Sequence, residues 1–148
     1  MTTKKNLGIG TLAAAFAGAL AFQVSAMPAN MQVVGKANPP IGHYEFCKAL
    51  PQECAVRNRP STPPKVTDHG WGVVQDINAS VNHAIVPMTD AEIYGHEEVW
   101  AYPVDLGDCE DFVLEKRRRL VKAGFPIQTL LITVVRDQKG DGHAVLTI

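Results

Sequence analysis

The alternation of apolar and polar positions is clearest in the last third of the chain. Phe112, Val113, Leu120 and Val121 place an apolar stripe on a segment with helical spacing that opens near Cys109, and Gly124 followed by Pro126 stops it. Leu130 to Arg136 (LLITVVR) and His143 to Ile148 (HAVLTI) are β-branched and almost continuously apolar, which predicts two strands joined by a turn over 137–142. A helix that covers such a hairpin makes an α+β domain, with the helix packed on an antiparallel sheet. Upstream, Trp71, Val74, Ile77 or Asn78, and Val81 share one face of a helix expected over 71–84, and Pro87 ends it. Asp90 to Trp100 reads as a short acidic turn or helix that enters the loop Ala101-Tyr102-Pro103. Six of the ten prolines fall between Pro39 and Pro64, without a sustained period, so this stretch is expected to be irregular and to wrap the surface.

The N-terminus has a different pattern. Lys4 and Lys5 precede an uncharged run of small apolar residues from Leu7 to Phe22, and Val24-Ser25-Ala26 is a small-residue cleavage site. These features predict a cleaved signal peptide over 1–26 and a periplasmic or secreted protein. The run is short for a membrane span, and an uncleaved anchor is the alternative. The expected organisation is then an irregular N-terminal segment over 27–70 and one domain over 71–148.

Net charge is −1 and the pI is about 6.5, so the chain has no basic footprint and a nucleic-acid partner is not expected. The distribution of charge says more. From Asp90 to Asp111 there are eight carboxylates and no Lys or Arg, whereas Lys116 to Arg119 is a basic run, read as a solvated helix face. Carboxylates at the start of the helix and cations toward its end suit the helix dipole.

Three cysteines complete the picture. Cys47 and Cys54 are close enough to close a local loop, and export permits them to pair as a disulfide. Cys109 is then the odd thiol, following a glycine turn at the N-terminus of its helix, where unpaired N–H groups favour an anion. The hairpin can bring His143 beside it. A Cys and a His distant in sequence and joined in space are the minimum apparatus of thiol nucleophilic catalysis.

GDCEDFVLEKRRRLVKAGFP followed by LLITVVRDQKGDGHAVLTI resembles the bacterial transglutaminase-like cysteine peptidases, the family that includes the periplasmic LapG-type proteases. The likeness is clear from Val81 to Ile148. It implies a papain-like, transglutaminase-type core with nucleophile Cys109 on the helix and base His143 on the sheet. It also implies that the Cys109 N–H contributes to an oxyanion hole. Trp100 is a candidate wall of the site, with core packing as its other reading. The family pattern carries a third, acidic member on the strand after the histidine strand, and the chain reaches only Ile148, so a domain incomplete at its C-terminus is expected. Asp137 and Asp141 lie in the turn before His143 and are poorly placed as substitutes, and the sequence does not place Asp90 or Asp105.

The motif contains an electrostatic conflict. Asp108, Glu110 and Asp111 flank a sulfur that must ionise, and nearby negative charge opposes that. A cation removes the conflict, and oxygen ligands without Lys or Arg suit calcium. The resemblance implies calcium dependence, with Asp108 and Glu110 as ligands; an acidic turn that only caps the helix is the alternative. His83 and His96 joining Cys109 and His143 around zinc is a further alternative, although the spacings match no usual zinc pattern.

The functional expectation is an exported cysteine peptidase that hydrolyses amide bonds of a protein substrate. The alternatives are a non-catalytic calcium-binding or protein-interaction relative, and an amide-crosslinking transglutaminase. By resemblance, the substrate is a cell-surface protein and a membrane-bound receptor regulates the enzyme.

Overall fold

The computed structural model describes residues 38–55 and 65–148. The leader expected over 1–26 lies outside the described residues, as do 27–37 and 56–64. Among the described residues, no helix is long and apolar enough to cross a membrane.

The first elements correct the expectation of an irregular N-terminal segment. Helix α1 runs Ile41–Ala49 and the short α2 runs Pro51–Cys54. The prolines punctuate these helices instead of preventing them: Pro40 precedes α1, and Pro51 begins α2, where a missing N–H costs nothing. The segment also reaches inward. Phe46 is buried with Trp100 and Leu114, and the expected Cys47–Cys54 disulfide is formed against this cluster.

Helix α3 spans Asp68–Ala84 and begins three residues before the expected Trp71, because the Thr67 hydroxyl accepts a bond from the Gly70 N–H at 3.0 Å. Val81 is fully buried, whereas Trp71, expected on the same apolar face, is 53 % exposed. The two-residue strand β1, Val86–Pro87, follows. Helix α4, Asp90–Tyr94, starts in a capping box between Thr89 and Glu92 and ends on Gly95 at φ 78°.

The two-residue strand β2, Leu106–Gly107, runs parallel to β1, with Val86 opposite Leu106 and Pro87 opposite Gly107. This pairing sets the N-terminus of α4 beside the residues that open the next helix, α5, Cys109–Lys122. After a 3-10 turn over Ile127–Thr129 come β3, Leu131–Arg136, and β4, Gly142–Thr147. They form an antiparallel hairpin with Val135 opposite His143 and Val134 opposite Ala144. Asp137 fixes the turn, its Oδ1 accepting from the N–H groups of Lys139 and Asp141.

Helix α5 is the central element, packing on β4 and on α3. The fold is α+β as expected, with its strands in two separate two-stranded sheets. Buried α5 residues include Val113, Leu114 and Leu120, and also Glu115 and Arg117. The solvated face expected at Lys116 to Arg119 is therefore corrected at Arg117. Its Nε donates to the Leu130 carbonyl at 3.1 Å, and its Nη1 donates to the Glu53 carbonyl at 3.2 Å. Arg118 and Arg119 both pair with Glu115.

Candidate active site

Cys109 is the first residue of α5, and it is half-buried. Asp108 is the N-cap, but its side chain makes no capping bond, so it is free to face elsewhere. Two contacts define the thiol. Its Sγ donates to Glu110 Oε2 at 2.9 Å, and it accepts from the Ala144 N–H at 3.4 Å. The second contact joins α5 to β4 one residue beyond His143.

His143 is exposed, and it lines the same cavity as Cys109, a space of about 680 Å³. Asn78 and Asn82 of α3, Met88, Glu92 and Phe112 also line it. None of these was singled out from the sequence as a cavity residue, because that role depends on how α3 and β4 flank α5. Among the described residues, no carboxylate hydrogen-bonds His143; Asp137 is engaged in its own turn and Asp105 is exposed.

Trp100 falls elsewhere. It is buried with Phe46 and Leu114, edge-on to His43 at 5.0 Å between ring centres, and it does not line the Cys109 cavity. The expectation of a site wall is corrected to the core reading. His83 and His96 are both exposed, and neither joins a metal-competent cluster with Cys109 or His143, which corrects the zinc alternative.

The acidic residues do converge. Asp108, Cys109 and Glu110 form one group whose ligand atoms lie within 4.8 Å of one another, and Asp90, Asp108 and Asp111 form a second. Asp90 and Asp111 join the neighbourhood anticipated for Asp108 and Glu110, and both are fully buried. Each is anchored by one oxygen: Asp90 Oδ2 accepts from the Val99 N–H, and Asp111 Oδ1 accepts from the Ala101 N–H at 2.9 Å. The remaining oxygens, Asp90 Oδ1 and Asp111 Oδ2, are buried without a hydrogen-bond partner, as is Asp108 Oδ1. Buried orphan acceptors are costly, and three of them clustered are a donor set for a hard cation. These residues fit calcium.

Without a cation the cluster is strained electrostatically. Burial, followed by the charge of Glu110, pushes the Asp108 carboxyl up to about 8. Burial pushes Asp111 up to about 6 and raises Asp90 as well. Burial and the bond to Glu110 push the Cys109 thiol up to about 12, against the opposing effect of the Ala144 N–H. The conflict anticipated from the acidic flanks is thus present, and the metal-free thiol is protonated at neutral pH.

The family model of the bacterial transglutaminase-like cysteine proteinases, BTLCP, matches residues 33–148. No curated protein and no solved structure matches the chain.

Proposed function

The chain belongs to the bacterial transglutaminase-like cysteine proteinases, and from that premise we propose that it hydrolyses amide bonds of a protein substrate through Cys109 and His143. One observation carries this reading: the single free cysteine starts the central helix and shares one cavity with a histidine at the start of β4. The core is read as papain-like, with the nucleophile helix on the hairpin.

In this mechanism His143 takes the thiol proton, and the thiolate attacks the substrate carbonyl carbon. The N–H of Cys109, at the helix N-terminus, contributes to the hole for the oxyanion that forms, while the N–H of Ala144 donates to the sulfur and favours its ionised form. His143 then gives its proton to the departing amine, leaving a thioester on Cys109. Water attacks the thioester, His143 accepts the proton from that water, and the acid product leaves as the thiol is restored.

Calcium held by Asp108 and Glu110, with Asp90 and Asp111 completing the oxygen set, would supply the positive charge that lets the sulfur ionise beside so many carboxylates. The leader expected over 1–26 places the enzyme outside the cytoplasm, where a cell-surface protein is its substrate class and a membrane-bound receptor its regulator.

A second reading rests on a specific observation. The thiol is bonded to Glu110 and not to His143, and no carboxylate orients the imidazole among the described residues. That arrangement favours a non-catalytic calcium-binding relative. Hydrolysis of an unfolded protein substrate in calcium, lost in Cys109→Ser and in His143→Ala, supports the proteinase. No hydrolysis under any metal condition, with calcium still bound, supports the second reading. Incorporation of a labelled amine into a glutamine-bearing protein would point instead to crosslinking.

A further inference from the structure

The Cys47–Cys54 disulfide has a third neighbour. His43 stands one helical turn before Cys47 on the same face of α1, and its Nε2 and Nδ1 lie 3.6 and 3.7 Å from the Cys47 Sγ. The ligand atoms of His43, Cys47 and Cys54 fall within 4.8 Å of one another, and all three residues are half-buried. The chemistry at Cys109 uses none of them.

The spacing is that of a metal site. Zinc bound at about 2.3 Å to sulfur and about 2.0 Å to an imidazole nitrogen, at tetrahedral angles, holds the two atoms about 3.5 Å apart. His43 and Cys47 already stand at that separation. Two zinc-bound sulfurs lie about 3.8 Å apart, so the sulfur–sulfur bond excludes the metal. Once that bond is broken, rotation about the Cα–Cβ bonds can open the sulfurs to this distance, because the two Cα atoms are 5.6 Å apart.

Bonds other than the disulfide hold the three residues together. The Leu50 N–H donates to the Phe46 carbonyl at 2.8 Å and the Glu53 N–H to the Leu50 carbonyl at 3.0 Å, which fixes the turn from α1 to α2. Arg117 Nη1 holds the Glu53 carbonyl beside Cys54. Phe46, beside Cys47, is buried with Trp100, and Trp100 meets the His43 ring edge-on. Burial, followed by the charge of Arg117, lowers the His43 pKa, so the ring is neutral at neutral pH as a ligand must be. The Arg117 guanidinium does not oppose the metal, since two thiolates neutralise a divalent ion. His43, Glu53 and Cys54 border a cavity of about 220 Å³, with room for water as the fourth ligand.

We propose that His43, Cys47 and Cys54 form a zinc site when their disulfide is reduced. A dithiol reductant gives two electrons and two protons to the disulfide and becomes a disulfide itself. Each new thiol passes its proton to solvent as its sulfur bonds to zinc, and a His43 ring nitrogen donates its lone pair. Zinc and the disulfide compete for the same two sulfurs, so metal uptake is conditional on reduction. Neither Cys109 nor His143 takes part, and the site stands apart from the proteinase reading.

The test uses the full chain with Cys109→Ser, which leaves Cys47 and Cys54 as its only cysteines. It is reduced with a phosphine and titrated without oxygen with cobalt(II), a spectroscopic stand-in for zinc, beside the oxidised chain. The reduced chain is expected to develop sulfur-to-cobalt charge-transfer absorption that saturates at a single cobalt per chain and is abolished by zinc, whereas the oxidised chain develops none. His43→Ala should weaken cobalt binding at least about tenfold, and His43→Cys should restore it with stronger charge-transfer absorption from a third sulfur. Where reduction unfolds the chain, zinc should restore its circular dichroism spectrum. Absence of the charge-transfer absorption in the reduced chain, unfolding that zinc does not reverse, or cobalt affinity unchanged in His43→Ala overturns the proposal.

Discussion

Cys109 donates its thiol proton to the Oε2 of Glu110 at 2.9 Å, so the candidate nucleophile is bonded to a carboxylate one residue away and not to a base. Together with burial, this pushes the thiol up to about 12. In chelator, iodoacetamide is expected to label Cys109 far more slowly than a free cysteine at neutral pH. Glu110→Gln removes the charge and should accelerate labelling about tenfold for each unit by which the thiol pKa falls. If Glu110 is a calcium ligand as proposed, calcium should accelerate the unsubstituted chain and leave Glu110→Gln little changed. Labelling in chelator at the rate of a free thiol would contradict the geometry.

The Asp90, Asp108 and Asp111 cluster makes metal-free stability depend on pH in an unusual direction. All three carboxyls are raised in the fold, Asp108 to about 8 and Asp111 to about 6. The folded chain therefore holds more protons than the unfolded chain between about pH 4 and about pH 8, and stability falls as pH rises through that window. Thermal melts in chelator should show Tm dropping by about 5 °C or more from the acid to the alkaline end of it. Calcium should remove the slope. A Tm that rises with pH in chelator would show that the three carboxylates are stabilised as anions by something other than a bound ion.

Local periodicity made much of this domain legible. Helix α5 and the hairpin are carried by residues close in sequence, with turn signals at Gly124 and at 137–142. The Cys47–Cys54 bridge was legible from its short spacing. What was not legible depends on contacts between distant segments. Asp90 reaches Asp108 only because β1 and β2, each two residues long, run parallel. Strands that short leave no period to read. Arg117 looked solvated because its neighbours are basic, yet its guanidinium lies where the Glu53 and Leu130 carbonyls need donors. Trp100 was ambiguous because a large aromatic serves equally as a site wall or as core, and only the packing of Phe46 against it decides.

Arg117 provides the next prediction. It is 7 % exposed, and it ties the loop of the disulfide to the end of the 3-10 turn by donating to Glu53 and Leu130. Arg117→Met keeps the apolar stem and leaves both carbonyls without their donor. The expected loss is about 2–4 kcal/mol, read as a lower urea midpoint with an unchanged slope. Arg117→Lys should recover only part of it, since one ammonium does not reproduce two donors in fork geometry. A loss below about 0.5 kcal/mol would mean that water replaces the guanidinium at both carbonyls.

Two glycines in helices should respond to alanine with opposite signs. At Gly42, on the buried side of α1, an added Cβ would meet the Glu98 carbonyl oxygen and Cδ1 of Trp100, both well inside contact distance. Neither can withdraw easily. Glu98 already sits at φ 61°, the next N–H is held by Asp90, and Trp100 is packed on Phe46 and Leu114. Gly42→Ala must push α1 off this segment, at a cost of about 1–3 kcal/mol, and it should weaken calcium binding by disturbing the backbone that anchors Asp90. At Gly72, in α3, a Cβ meets nothing within 4 Å. Gly72→Ala there restricts the unfolded chain and improves helix propensity, adding about 0.5–1 kcal/mol. Thermal melts of the pair, with calcium titrated into each, check both signs at once. If Gly42→Ala matches Gly72→Ala in Tm and in calcium affinity, α1 does not seat on the Trp100 segment as described.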